Sequence, residues 1–193
     1  MKKSNLIIIG ILAVLAIWGV STYNGMVTED ENVAQVWADV ETAYQRRADL
    51  IPNLVATVKG YAEHEKGTFE AVVEARSKAT SINLTIDDLS EENMKKFQEA
   101  QSQVSSALGR LIAIGENYPE LKASEQFIEL QAQLEGTENR INEARKKFNA
   151  AVKDYNLKVR RFPGSLFASL FGFSAKTPFA AEAGAEKAPT VQF

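Results

Sequence analysis

The 193-residue sequence has no cysteine and a single histidine, and its Lys and Arg residues are interspersed with acids rather than gathered into long runs. Without cysteine there are no disulfides, thiolate metal sites, thiol nucleophiles or cysteine-linked lipids within these residues. One histidine, His64 between Glu63 and Glu65, leaves a catalytic triad one candidate base. It also leaves a di-iron site short, because bundle sites of that kind take two inward Glu-x-x-His units. Glycine loops of the kind that cradle phosphate are missing, as is a GxSxG nucleophile elbow. A net charge of -3 supplies no long-range attraction toward nucleic acid. These gaps predict a protein that is not an enzyme and that uses no cofactor, metal, nucleotide or nucleic acid.

What is present begins with a long apolar stretch. Residues 6–23 carry no charge and are built mainly from Leu6, Ile7, Ile8, Ile9, Ile11, Leu12, Val14, Leu15 and Ile17, with Trp18 and Tyr23 toward the outer end. As a helix they rise about 27 Å, close to a hydrocarbon core of about 30 Å, and the two aromatics suit an interfacial belt. Lys2 and Lys3 precede the span. Glu29, Asp30 and Glu31 follow it, and the next basic residue is Arg46. The positive-inside bias therefore puts the N-terminus in the cytoplasm and the rest of the chain outside. A cleaved secretory signal, with Gly19 and Ser21 near its cut, is the competing reading, and the length of the apolar stretch favours the anchor. Residues 1–25 are thus expected to be a cytoplasmic stub and one transmembrane helix.

Beyond it, apolar residues recur every three to four positions. Val33, Trp37, Val40, Tyr44, Ile51, Leu54, Val58, Tyr61 and Val72 form one stripe, interrupted at Pro52 and weakened at Gly60 and Gly67, where one rod can become two helices. Residues 81–90 read as a connector, with Ser90 or Asp88 capping a helix that runs to Tyr118 before Pro119. Another begins near Ser124 and carries Phe127, Leu130, Leu134, Ile141, Phe148, Val152, Tyr155 and Val159 until Pro163 and Gly164 stop it. Glu143 with Lys147 and Asp154 with Lys158 are spaced as i,i+4 pairs. The fold class is all-α: an N-terminal transmembrane helix, then an elongated antiparallel bundle of three to four long helices over residues 26–162.

Three groups of residues break the pattern. Arg46, Arg47 and Asp49 crowd Pro52 and Asn53, and Arg47 takes a seam position, where a charge costs several kcal/mol unless paired. Glu138 is a candidate partner. Gly136, Thr137, Glu138, Asn139 and Arg140 interrupt the later stripe, and a mid-helix glycine predicts close helix approach. Both groups read first as helix-register devices and second as a site for an anionic or peptide ligand. The third group, Arg160, Arg161, Phe162, Leu166, Phe167, Leu170, Phe171 and Phe173, either docks on the bundle or lies in the membrane interface. It opens a terminal region, 163–193, whose part from 175 on reads as low-complexity and loosely held.

Three stretches resemble the LemA family: YQRRADLIPNLVATVKGYAEHEKGTFEAVVEARSKA at 44–79, ENYPELKASEQFIELQAQLEGTENRINEARKKFNAAVKDYN at 116–156, and VRRFPGSLFASLFGF at 159–173. The resemblance implies a bacterial protein with an N-terminal helix in the cytoplasmic membrane and a helical bundle outside. It implies no enzymatic activity, and a related branch is associated with magnetosome membrane formation. The expectation is a scaffolding or membrane-organising protein of the cell envelope that contacts the lipid bilayer and acts as a homo-oligomer or with an envelope partner. The alternative is a ligand-sensing ectodomain.

Overall fold

The computed structural model describes residues 3–180, without the side chains of Lys3, Ser4 and Leu6. Lys2, the Leu6 side chain and residues 181–193 of the expected loose tail lie outside the described residues. All regular structure among the described residues is helical: α1 (Lys3–Lys59), α2 (Lys66–Thr80), α3 (Glu91–Asn117), α4 (Pro119–Lys122), α5 (Glu125–Arg160) and α6 (Gly164–Phe171), with a 3-10 turn at Ile86–Asp88 before α3.

The apolar N-terminal stretch and the first bundle helix are one object. α1 runs unbroken for 57 residues, about 86 Å at the helical rise, so the expected boundary at 25/26 falls inside a helix. Nothing between Tyr23 and Val33 stops it, since Gly25 alone weakens a helix without ending one. From Ile7 to Ile17 it is apolar all round and uncovered, with Ile7, Val14 and Ile17 each more than 60% exposed, and the helix is long and apolar enough there to cross a membrane.

α1 ends at Gly60, the first of the two glycines at which a break was open. The turn 60–65 buries Ala62 against the bundle, and α2 returns antiparallel to α1. The Ser90 hydroxyl caps α3, accepting from the Asn93 amide at 3.3 Å. Asp88 instead closes the 3-10 turn by accepting from Thr85 Oγ1 at 2.7 Å. Pro119 cannot extend α3 and begins the short α4. α5 then descends along the length of α1, its main neighbour, while α2 packs chiefly on α3.

α2 is short, so it fills the fourth position only in the half of the bundle far from the apolar N-terminal stretch. Nearer that stretch the position is closed by Leu84 and Leu89 of the connector and by Phe179 of the terminal segment. The Trp37 indole donates to the Leu84 carbonyl at 3.0 Å and holds the connector there. Residues 174–180, of which 175–180 read from sequence as loosely held, are thus a strap that belongs to the folded unit: Phe179 is 5% exposed, and its aromatic surface repays the ordering of the segment.

Candidate functional site

The core divides along its length into two apolar clusters. One centres on Trp37, Phe97, Phe148 and Tyr155 and the other on Ile51, Leu111, Leu121 and Phe127. Between them sits Arg47, 2% exposed. Its Nη1 donates to Glu138 Oε1 at 2.9 Å and to Ser105 Oγ at 2.8 Å; its Nη2 donates to Gln101 Oε1 at 2.6 Å and to the Gln101 carbonyl at 3.2 Å. The guanidinium also lies 5.1 Å from the Tyr44 ring centroid. This layer joins α1, α3 and α5, and Glu138 is the partner named from the seam position of Arg47.

A cavity of about 550 Å³ opens beside this layer between α1, α2 and α3, bordered by Arg46, Asp49 and Arg76. A second, of about 450 Å³, meets Arg47 and Glu138 between α3 and α5. Their polar groups point mostly at the protein itself. Arg47 commits four donors as above, Arg76 Nε donates to the Ala48 carbonyl at 2.8 Å, and Asp49 accepts from Gln45 at 2.8 Å. Arg46, Pro52, Asn53, Asn139 and Arg140 are exposed and are not gathered around one point. Gly136 has open space where its Cβ would be, so the close helix approach expected there does not occur. Arg47 is paired to Glu138, so its charge is not left open beside Pro52.

The third group converges at the base of the bundle. α6 turns back beneath it to α1 and lays Phe167 edge-on to Trp18 at 5.5 Å and Phe171 against Tyr23 at 5.0 Å, with Phe173 at 5.7 Å from Tyr23. The approach depends on glycine. A Cβ on Gly164 would lie 2.6 Å from the Lys158 carbonyl oxygen, and one on Gly19 would lie 3.1 Å from the Phe167 ring. Lys158, expected to pair with Asp154, reaches across to Glu29 at 2.8 Å and to the Gly25 carbonyl at 3.2 Å. α6 therefore docks with one face and leaves the other bare: Phe162 is 82%, Leu166 65% and Leu170 74% exposed, beside the exposed Arg160 and Arg161. This apolar face lies level with Trp18 and Tyr23, the outer end of the span-competent stretch. The docked face agrees with the docking reading of this segment, and the other face is exposed.

Sequence reading missed the groove that receives residues 174–180. It is formed by Asp30 and Trp37 of α1, Phe97 of α3, and Asn149, Tyr155 and Asn156 of α5. Its signal was the recurrence of Asn149 and Asn156 seven residues apart on one helix, which polarity alone does not distinguish from solvated surface.

The LemA family profile matches residues 36–193. Magnetosome protein MamQ 2 of Paramagnetospirillum magneticum is 27% identical over 187 residues, covering 87% of this chain and 69% of the relative. Magnetosome protein MamQ of Magnetospirillum gryphiswaldense is 27% identical over 168 residues, 78% of this chain and 62% of the relative. Protein LemA of Metamycoplasma hominis is 24% identical over 139 residues, 72% of this chain and 60% of the relative.

Proposed function

On the premise that this chain belongs to the LemA family, we propose that it is a membrane-anchored scaffold of the bacterial cell envelope, organising membrane or partner proteins through self-association rather than through catalysis. In this reading α1 crosses the cytoplasmic membrane with its N-terminus inside, and the bundle stands outside. The observation that carries the reading is the bare apolar face of α6 beside Trp18 and Tyr23. An amphipathic helix at that level buries its apolar face in the headgroup boundary while Arg160 and Arg161 meet anionic lipid. The scaffold then meets the bilayer at two points, a span and a surface foot, and its orientation over the membrane is fixed. Relatives named as magnetosome proteins support a role at a membrane.

The test uses the full chain reconstituted in liposomes. With Trp18→Phe and Trp37→Phe as background, a Phe162→Trp reporter should be quenched by lipid brominated in its acyl chains, and unquenched emission overturns the surface foot. Chain extracted in mild detergent should run larger than one copy, and Leu166, Phe167, Leu170 and Phe171 changed together to Ser should reduce that size. A monomer indifferent to those changes overturns the assembly role.

A further inference from the structure

The cavity of about 550 Å³ between α1, α2 and α3 follows from the way α2 sits. α2 packs more on α3 than on α1, and it ends at Thr80, where the connector takes over. The seam beside α1 is left open over the turns that carry Glu41, Gln45 and Asp49. Its volume falls in the range of a small-ligand site. One wall is apolar, formed by Ile51, Ala79, Ile82, Phe97 and Val104.

Charges of opposite sign mark its two ends. Arg76 is the lining residue of α2 furthest from the connector, and Glu41 is the lining residue of α1 nearest to it. The Arg76 Nε–H goes to the Ala48 carbonyl at 2.8 Å, while its two Nη groups have no partner among the described residues. A guanidinium held in place by Nε still offers both Nη groups to a carboxylate. Glu41 lies seven residues before Ala48 on α1, a rise of about 10 Å. It has no ion pair among the described residues, and partial burial raises its carboxyl above the ordinary carboxylate range, more than the neighbouring Trp37 indole lowers it. A carboxylate so placed gains from a nearby cation. Between the ends, Thr42 and Asn83 line the cavity with side chains that make no hydrogen bond among the described residues. Arg47 and Asp49 are committed to Glu138 and Gln45.

We propose that this cavity binds a short peptide with free termini, its C-terminal carboxylate on the Arg76 guanidinium and its N-terminal ammonium on Glu41. Three extended residues span about 10 Å, which matches the separation of the two charges along α1. Thr42 and Asn83 supply hydrogen bonds to the backbone units between, which a peptide needs and a simple ion does not. The apolar wall takes the side chains. A plain anion would meet Arg76 alone and leave Glu41 facing it with like charge, and a single amino acid is too short to touch both ends. The proposal is independent of the scaffold reading, since neither charged end lies on α6 or on the apolar stretch.

The experiment titrates trialanine into the full chain in mild detergent and reads the dissociation constant by calorimetry. Trialanine with both termini free should bind, and N-acetyl-trialanine and trialanine amide should each bind about tenfold more weakly, because each cap removes one charge. Glu41→Gln should weaken trialanine by a similar factor and leave N-acetyl-trialanine unchanged, a selectivity that a merely structural Glu41 does not give. Arg76→Gln should weaken trialanine and leave the amide unchanged. Because Arg76 also closes the Ala48 carbonyl, the exposed Glu41 keeps the test decisive if the Arg76 variant does not fold. No binding of trialanine at millimolar concentration overturns the proposal. A penalty for the amide with none for the acetyl cap also overturns it and makes the cavity an anion site. Equal affinity for all three peptides, or for trialanine in wild type and Glu41→Gln, overturns it as well. Self-association and the surface foot keep their own tests, which these outcomes do not touch.

Discussion

Arg76 of α2 donates its Nε–H to the carbonyl oxygen of Ala48 in α1 at 2.8 Å, the carbonyl that Pro52 deprives of its helical donor. Proline at position i has no N–H for residue i−4, and an unsatisfied carbonyl in a half-buried place costs about 1–3 kcal/mol. The neighbouring antiparallel helix supplies the missing hydrogen. Pro52 thus becomes a cross-linking point between α1 and α2, and its position selects which turn of α2 lies opposite.

The relationship predicts a coupled pair of mutations. Arg76→Met should cost about 1–2 kcal/mol in urea unfolding, because the Ala48 carbonyl loses the donor that stands in for the missing amide of Pro52. Pro52→Ala restores the backbone donor, so Arg76→Met in that background should cost about half as much or less, a coupling that a double-mutant cycle reads directly. Additive effects would mean that Arg76 acts through something other than this carbonyl.

The polar layer predicts an asymmetry between breaking a pair and removing it. Arg47→Ala should destabilise by about 3 kcal/mol, since it strands Gln101 and leaves a hole. Glu138→Gln should cost only about 1 kcal/mol, because Glu138 is 38% exposed and solvent screens its share of the pair. Replacing both by Met should return stability to within about 1 kcal/mol of wild type while broadening the NMR signals of Ile51 and Ile141, whose helices then lose the layer that fixes their register. Sharp, unshifted signals would argue against a register role.

How far the sequence disclosed this molecule depends on whether a residue's partner lies in the same periodic stripe. Trp37, Val40, Phe148 and Val152 were legible as core because burial repeats with the helical period. Arg47 was legible because a charge on that stripe violates it, and Glu138 because it interrupts the facing stripe. The strap was not legible. Its extended backbone has no period, and Lys176 and Phe179 gain meaning only beside Asp30 and Trp37, some 140 residues away. Gly136 misled for a related reason: a mid-helix glycine announces a close approach only when a neighbour is there to approach, and at 136 there is none. Gly164, placed as a helix stop, turns out to be the contact glycine.

These two glycines give opposite predictions for one substitution. Gly136→Ala, in open helix surface, should raise stability by about 0.5–1 kcal/mol through helix propensity alone. Gly164→Ala would set a methyl group 2.6 Å from the Lys158 carbonyl oxygen and 3.2 Å from Met26 Cε. Backbone cannot step aside as a side chain can, so α6 should be displaced at a cost of about 1–3 kcal/mol. The displacement is read as loss of the Trp18–Phe167 contact, by a change in Trp18 emission in a Trp37→Phe background. Equal and small effects at both sites would place α6 elsewhere.

The hydroxyl of Tyr155 donates to the Ser174 carbonyl at 2.9 Å, where the strap begins. Burial, and after it the negative charges of Asp30 and Asp87, push this phenol up to about 12 from an ordinary value near 10. The folded protein therefore holds the phenolic proton more tightly than the unfolded chain does. The resulting stability is present in full below about pH 10 and is lost as pH rises from 10 toward 12, on the order of 2 kcal/mol over that window. Tyr155→Phe cannot titrate and should cost about 1 kcal/mol at pH 7 for the lost hydrogen bond. Above pH 10 its stability should fall less steeply than wild type, the background of other tyrosines and lysines being common to both. Urea midpoints taken between pH 9 and 12 on the two proteins give the comparison, and parallel curves would mean that the strap's first anchor carries no such proton linkage.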